Sequence, residues 1–398
     1  MNFQFSPDEQ AFADEVRGFL RAHPPEGFPI DGMDAGYGSG AHSRAFLRAL
    51  AGQGWLTMTW PRSFGGQERS LMYTLVLYEE LAAAGAPFGP LAGCQQTAEG
   101  IIRYGSETLR RDVLPRIGRG EATFWQGFSE PEAGSDLLSL KTEAVRRGEA
   151  YVIRGHKIWS SHAGIADYGL VLARTDPRGQ RHRGLSMFVV DNATAGVDIR
   201  PIRSLTGEIY HYEVFLDDAC VPADYLLGRE GEGFTQLLRG LDTDRFWGRF
   251  YKAAMLRRVL ADLVRYANAT VRGGVLLARD QGIRRRLASL ATDVEAVRLL
   301  FYRIAWMIRE GIPTPYETAL VKVMADETGQ AVAALGMDML GLYAPLYPDS
   351  PWAKLQGSIQ HLYQTSLGQT IAGGTSEILR STVATRGLGL PAEARARE

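Results

Sequence analysis

FWQGFSEPEAGSD, residues Phe124 to Asp136, and GHKIWSS, residues Gly155 to Ser161, are the stretches on which the reading of this chain turns. The first reads as an apolar, aromatic strand that runs into a turn built from Pro131, Gly134, Ser135 and Asp136, residues that supply fixed or positive φ and local side-chain caps. Such a turn exposes backbone N–H groups and small hydroxyls. The second reads as a short strand in which the large flat Trp159 is followed by Ser160 and Ser161, hydroxyl donors on opposite faces because side chains alternate along a strand. A flat ligand with polar edges suits both stretches. Taken singly, each also fits a surface hairpin whose tryptophan anchors a β core and whose hydroxyls bond their own neighbours.

Working outward, the period of the sequence changes on either side. Upstream, Ser6-Pro7-Asp8-Glu9 is a capping box with proline at the first helical position, and predicts a helix from Pro7 to Arg21 with Phe12, Val16, Phe19 and Leu20 on one face. A Gly- and Pro-dense loop is expected over His23 to Gly40. Helices are expected near Ala41–Gln53, Leu71–Ala84 and Leu91–Tyr104, and a further one capped by Ser106 and ending near Arg116. From Glu121 the runs ATFWQGFS, YVIRG, YGLVLAR, GLSMFVVD, VDIRPI and HYEVFLD are β-branched and aromatic, separated by Gly, Asp and Pro. After the Gly-rich GREGEGF, helical spacing returns with Phe234, Leu237, Leu238 and Leu241, then Leu256, Val259, Leu260 and Leu263. Four or five long helices are expected between Gly231 and Leu388, with a frayed tail from Pro391. The order is an α+β fold: an N-terminal α-helical domain over 1–120, a middle β domain over 121–228 and a C-terminal helical bundle over 229–398.

Bulk properties exclude several classes of function. Forty-four Lys and Arg against 45 Asp and Glu leave a net charge of −1, with no like-charge block suited to nucleic acid or an anionic membrane. Only Cys94 and Cys220 occur, far apart, so no disulfide framework, metal site or dithiol centre is expected. Any redox chemistry must come from a cofactor. No apolar run spans a membrane and the first residues carry no leader pattern, so a cytoplasmic, soluble protein is expected. No P-loop, HExxH, GxSxG or GxGxxG string is present, and NAD binding is not expected.

Together, FSEPEAGSD and the WSS strand resemble the flavin-binding segment of the acyl-CoA dehydrogenase family, and the α, β, α-bundle order extends the resemblance over nearly the whole chain. It implies FAD as cofactor, an acyl-CoA substrate, removal of an α proton by a carboxylate as hydride leaves the β carbon, and electron-transfer flavoprotein as acceptor. It also implies that Phe128 and Ser129 contact the pyrimidine edge of the flavin, that Ser135 lies near the cofactor and the thioester arm, and that Trp159 covers the dimethylbenzene side. The strand hydroxyls Ser160 and Ser161 belong to the same set, Ser161 near N5. TIAGGTSEILR, Thr370 to Arg380, resembles the loop that closes over the flavin, which brings in Gly374, Thr375 and Glu377.

Many members carry a Tyr-Glu-Gly-Thr string in that loop and use its Glu as base. Here the residues are Ala372-Gly373-Gly374-Thr375, so the usual base is missing. Glu377 is expected as a first-turn carboxylate of the following helix. Other members place the base in a Leu-x-x-Glu-Arg string. Leu241-Asp242-Thr243-Asp244-Arg245 matches it with Asp244 at the base position, one methylene and about 1.5 Å shorter in reach than Glu. Asp242 matches a position near the CoA arm, Arg245 one at the pocket edge, and the vacated Gly373 implies space for a branched or bulky acyl group. Strings that complete the FAD site across subunits are altered around Arg272-Gly273-Gly274 and Asp338–Tyr343. A homotetramer and an α2β2 heterotetramer with a second family member both remain open, as do a non-catalytic subunit and an acyl group borne on a carrier protein.

Overall fold

A computed structural model describes residues 3–24, 41–87, 89–177, 182–238 and 249–392. The expected loop over 25–40, the stretch 239–248 and the tail beyond 392 lie outside them. Two compact units emerge: one of residues 1–32, 70–86 and 245–398, the other of residues 33–69 and 87–244. The N-terminal helices divide between them. In chain order these helices are α1 (Pro7–Ala22), α2 (Ala41–Gly52), α3 (Leu71–Ala84), α4 (Pro90–Tyr104) and the short α5 (Leu114–Gly118).

The second unit is built on an eight-stranded sheet. Its strands are β1 (Phe124–Gly127), β2 (Glu143–Arg147), β3 (Ala150–Ser161), β4 (Tyr168–Arg174), β5 (Leu185–Asp191), β6 (Val197–Arg203), β7 (Ile209–Pro222) and β8 (Leu226–Leu227). They lie in the order β6-β7-β3-β2-β4-β5-β8, with β1 parallel to β4. Alternation along β3 and β7 sends Tyr151, Ile153, Val214, Leu216 and Val221 into one core with Trp125, Val171, Phe188 and Val190. Trp125 is the centre of this packing, its indole Nε1 donating to Asn192 Oδ1 at 2.6 Å. The indole lies against Gly169, where a Cβ would sit 2.3 Å from Cζ2. No other residue type leaves room there.

The helical unit holds α1 and α3 with α6 (Lys252–Ala269), α7 (Gln281–Arg309), α8 (Glu317–Leu340), α9 (Ser358–Gln369) and the short α10 (Ser376–Thr382). The capping box closes as expected, Ser6 N donating to Glu9 Oε2 at 2.8 Å and Glu9 N to Ser6 Oγ at 3.2 Å. Helix α8 is buried on nearly every side, as a central bundle helix must be. It approaches α9 closely at Gly336, where a Cβ would meet Ile359 Cγ2 at 2.7 Å.

Three local expectations differ from what forms. The helix capped by Ser106, whose Oγ accepts from Leu109 N at 3.1 Å, widens into a π turn over Leu109–Val113 before α5. Pro115 has no N–H for the Arg111 carbonyl and its ring crowds that oxygen, so the chain opens there. Gly134 does not adopt positive φ; the turn is closed by Glu130 and Ala133, which exchange N–H···O bonds of 3.0 Å across Pro131 and Glu132. Finally, Arg272-Gly273-Gly274 is the tip of a two-stranded hairpin, β9 (Val271–Arg272) with β10 (Val275–Leu276). Both glycines have positive φ, as a two-residue hairpin turn of the mirror-image type requires.

Candidate functional site

In the sheet unit, the two stretches that open the sequence reading are joined by a β-bulge. Lys157 pairs with Val214 and Ser160 with Tyr212, so β3 carries one residue more than β7 across this interval. The extra residue frees Ile158 N from the ladder, and it donates to Ser129 O at 3.0 Å. The bulge also puts Trp159 into left-handed backbone with φ +59, which costs a bulky residue about 1–2 kcal/mol. Its indole is 58% exposed, resting edge-on against His211 at 5.9 Å. Burial pushes His211 down to about 4 and His162 well below the usual imidazole range, so the His211 ring against the indole is neutral at pH 7.

Behind the turn lies a buried ion pair absent from the sequence reading. Lys157 Nζ, fully buried, donates to Glu130 Oε1 at 2.8 Å and to Phe128 O at 3.2 Å. The Glu130 carboxylate accepts in addition from Lys141 N at 2.6 Å and Thr142 N at 2.9 Å. Burial dominates the lysine and lowers it to about 8 despite the carboxylate. The bonds to Glu130 from Lys157 and the two amides hold that carboxyl below its usual range against its own desolvation. Turn and strand are thus fastened from the core side, leaving Ser129 and Ser161 half-buried and Ser135 exposed. Phe128 is buried. The buried Ser160 Oγ has no hydrogen-bond partner among the described residues.

These residues fit a flavin. An exposed indole fixed by a bulge offers a flat apolar surface, and the surrounding hydroxyls and main-chain groups offer polar partners for ring edges.

In the helical unit, the loop between α9 and α10 carries Ala372, Gly373 and Gly374, the two glycines at φ +68 and +99. Thr375 is the N-cap of α10, its Oγ1 accepting from Ile378 N at 3.2 Å. Glu377 stands exposed in the first turn of that helix, as expected. Its own backbone N–H and the Thr375 hydroxyl hold its carboxyl below the usual range. Beneath the loop is a second buried charged cluster that the sequence reading passed over. Asp326 on α8 bonds Lys252 on α6, lies 2.9 Å from Lys322 Nζ and 3.3 Å from Arg249 Nε. Lys322 and Asp326, four apart inside the otherwise apolar run of α8, were a usable signal, since such a pair is retained only where it is satisfied. Asp242, Asp244 and Arg245 lie outside the described residues.

A sheet unit presenting a flat aromatic shelf, followed by a helical bundle with a glycine-rich loop, is the architecture of a flavin-dependent dehydrogenase acting on thioesters. Family profiles match in three consecutive segments: acyl-CoA dehydrogenase N-terminal domain over residues 6–121, middle domain over 126–219 and C-terminal domain over 231–388. The chain belongs to the acyl-CoA dehydrogenase family, FAD-dependent oxidoreductases of the CH–CH group of acyl-CoA thioesters. It is 30% identical to acyl-CoA dehydrogenase FadE26 of Mycobacterium tuberculosis, over 98% of this chain and 99% of that protein. Acyl-CoA dehydrogenase IpdE1 of the same organism is 33% identical, again over 98% and 99%. Among solved structures, the Tcur3481-Tcur3483 steroid ACAD superposes with a TM-score of 0.88 at 30% identity, covering 99% of this chain and 100% of that chain. The ChsE4-ChsE5 complex of Mycobacterium tuberculosis gives 0.86 at 30% identity, covering 99% and 100%. No helix among the described residues is long and apolar enough to cross a membrane.

Proposed function

We propose that this chain dehydrogenates a bulky acyl-CoA at the α,β position with Asp244 as the base, as one subunit of a two-component assembly that passes its electrons to an electron-transfer flavoprotein. The observation that carries the reading is the loop over 370–375. It keeps its glycine-rich shape but has no carboxylate at Ala372 or Gly373, and the two beside it, exposed Glu377 and buried Asp326, are both held ionised. A base for an α proton needs a dry setting that raises its pKa. Both carboxylates are shifted the opposite way, which leaves Asp244, in the Leu-x-x-Asp-Arg string, as the candidate.

Bound FAD would supply the hydride acceptor. In the sheet unit Phe128, Ser129, Ser135, Trp159, Ser160 and Ser161 would hold it, and in the helical unit Gly374 and Thr375, with Glu377 outside the reacting centre. Asp244 would take the α proton, while Asp242 and Arg245 would orient the thioester end of the substrate. The lack of any side chain larger than a methyl at Ala372 and Gly373 favours a wide acyl group. Relatives described as a steroid ACAD and as a complex of two named chains support both the wide substrate and the paired subunits.

The test is anaerobic bleaching of the purified flavoprotein, made alone and co-expressed with a second family member from a neighbouring gene. Cyclohexanecarbonyl-CoA and a steroid side-chain acyl-CoA should bleach it faster than butyryl-CoA. Asp244→Asn should keep the colour and slow bleaching about a hundred- to ten-thousand-fold, the usual worth of a general base. Bleaching of Asp244→Asn at the wild-type rate refutes the base. Protein that stays colourless even in the complex would favour a second reading, a non-catalytic partner subunit, which the altered string around Arg272-Gly273-Gly274 supports.

A further inference from the structure

The loop over 370–375 is gripped through its carbonyl oxygens by cations. Lys322 Nζ donates to Gln369 O at 3.0 Å and to Gly374 O at 2.8 Å, and forms an ion pair with Asp326 Oδ2 at 2.9 Å. The ammonium, 1% exposed, thus has two carbonyl acceptors and an ion-pair partner around it. Arg249 Nη2 reaches Ala372 O at 3.4 Å and Lys252 Nζ reaches Gln369 Oε1 at 3.2 Å, while both engage Asp326. Ser376 N closes the loop on Thr370 O at 2.9 Å. The grip on Gln369 O also satisfies a carbonyl in the last turn of α9, where a cation is favoured by the helix dipole.

With two positive-φ glycines and no large side chain over 372–374, the loop has little packing of its own to define its path. Its conformation must be imposed from below. We propose that Lys322, oriented by Asp326, is the positioning residue that sets the path of the 370–375 loop and thereby the flavin site to which that loop contributes. The second half of this statement rests on the loop's assignment under the proposed function. Lys322 touches no reacting atom; it acts through Gln369 and Gly374.

The groups facing Lys322 bear on its pH dependence. Asp326 lies below the usual carboxylate range because Lys252, Arg249 and Lys322 outweigh its burial. Glu377 is likewise held ionised, with Lys322 among the causes. Burial, with Arg249 and Lys252 adding to it, lowers Lys322 to about 8 even with Asp326 beside it. As pH rises through that value, Lys322 loses its charge.

The experiment is hydrogen exchange followed by mass spectrometry on the full chain, in the complex where one forms, together with titration of the apoprotein with FAD. Lys322→Met should speed exchange of the peptide over 368–376 about tenfold or more, the loss expected for one charge-assisted hydrogen bond. Peptides from α7 should stay at the wild-type rate, and Lys322→Arg, which keeps the charge but holds its donors in one plane, should restore part of the protection. Wild-type exchange of the loop, corrected for the chemical rate, should rise above pH 8, whereas that of Lys322→Arg should not. Unchanged loop exchange in Lys322→Met, or equal acceleration throughout α7 and α8, overturns the inference. A loosened loop in Lys322→Met with an FAD dissociation constant equal to wild type overturns the loop's place at the flavin, and does so independently of the bleaching test on Asp244. A dissociation constant raised about tenfold supports both.

Discussion

Removing the ammonium of Lys157 should loosen the turn at Phe128–Ala133 and destabilise the sheet unit by about 3–5 kcal/mol, the range for breaking one partner out of a buried ion pair. The magnitude follows from what remains. In Lys157→Met the Glu130 carboxylate, only 8% exposed, keeps the Lys141 and Thr142 amides but loses its one cation, and Phe128 O loses its donor. One charge-assisted bond is worth about 1.5–3 kcal/mol, and the uncompensated buried charge adds the rest. Glu130→Gln should cost less in the same titration, because the lysine can shed its proton while the amide still accepts from one backbone N–H. The double variant removes both charges together. It should therefore be less damaging than the sum of the single variants by about 2 kcal/mol or more, the coupling of neighbours in one network. The assay is urea unfolding of all four proteins at pH 7, followed by the intensity of tryptophan emission. A cost below about 1 kcal/mol for Lys157→Met, or strict additivity in the cycle, refutes the account of the pair as the fastening of the turn. The functional corollary is that Lys157→Met should lose FAD on desalting more readily than wild type.

Gly169→Ala should destabilise the sheet unit by about 1–3 kcal/mol or prevent folding, because the new Cβ meets the Trp125 ring at 2.3 Å inside a packed core, while Gly134→Ala, with nothing within 4 Å, should stay within about 0.5 kcal/mol. Parallel urea titrations of the two decide it. Cys94 is fully buried, bonds Ala122 O at 3.4 Å, and is pushed up to about 12, so the unfolded thiol ionises first as pH rises past about 8.5. The unfolded state then holds fewer protons, and wild-type stability should fall relative to Cys94→Ala by up to about 1.4 kcal/mol per pH unit from pH 8.5 to 10, with no such slope between pH 6 and 7.5; a constant difference across the whole range would contradict the assignment.

Much of the architecture was legible because patterning and capping are local. The capping box at Ser6, the alternating runs from Glu121 and the stripe at Leu256, Val259, Leu260 and Leu263 each state their period in a few residues. The bulge at Trp159 was not legible, since W-S-S alternates equally well with or without an extra residue in the pairing. Register is set by β7, more than fifty residues away in sequence, and only the pairing Lys157↔Val214 then Ser160↔Tyr212 reveals the insertion. The hairpin at Gly273-Gly274 was legible in its flanking valines, Val271 and Val275, around a two-glycine turn. The site residues Phe128, Ser129, Trp159, Ser160 and Ser161 were named from family likeness, and the bulge supplies a physical reason why they come together. Why they stay there lies in Glu130 and Lys157, residues whose role depends on partners distant in sequence.

Each unit uses a buried lysine in the same way, and the choice of lysine has a chemical reason. Loops rich in glycine and small residues cannot define their own shape by packing, and their carbonyl oxygens are left facing the interior. A hydrophobic replacement of similar volume could match the stability of a buried ion pair, yet it would leave those carbonyls without donors. The planar fork of arginine holds its donors in one plane, whereas an ammonium on a flexible stem directs three around a tetrahedral cone. Lys322 uses them on Gln369 O and Gly374 O beside the Asp326 carboxylate, and Lys157 on Phe128 O and Glu130. The carboxylate in each pair keeps the lysine charged against its burial, so that the donors remain available at pH 7. Conformational definition of the loop and net stability of the fold are therefore separable quantities. A variant that replaces both members of either pair with apolar residues should lose the first while keeping most of the second.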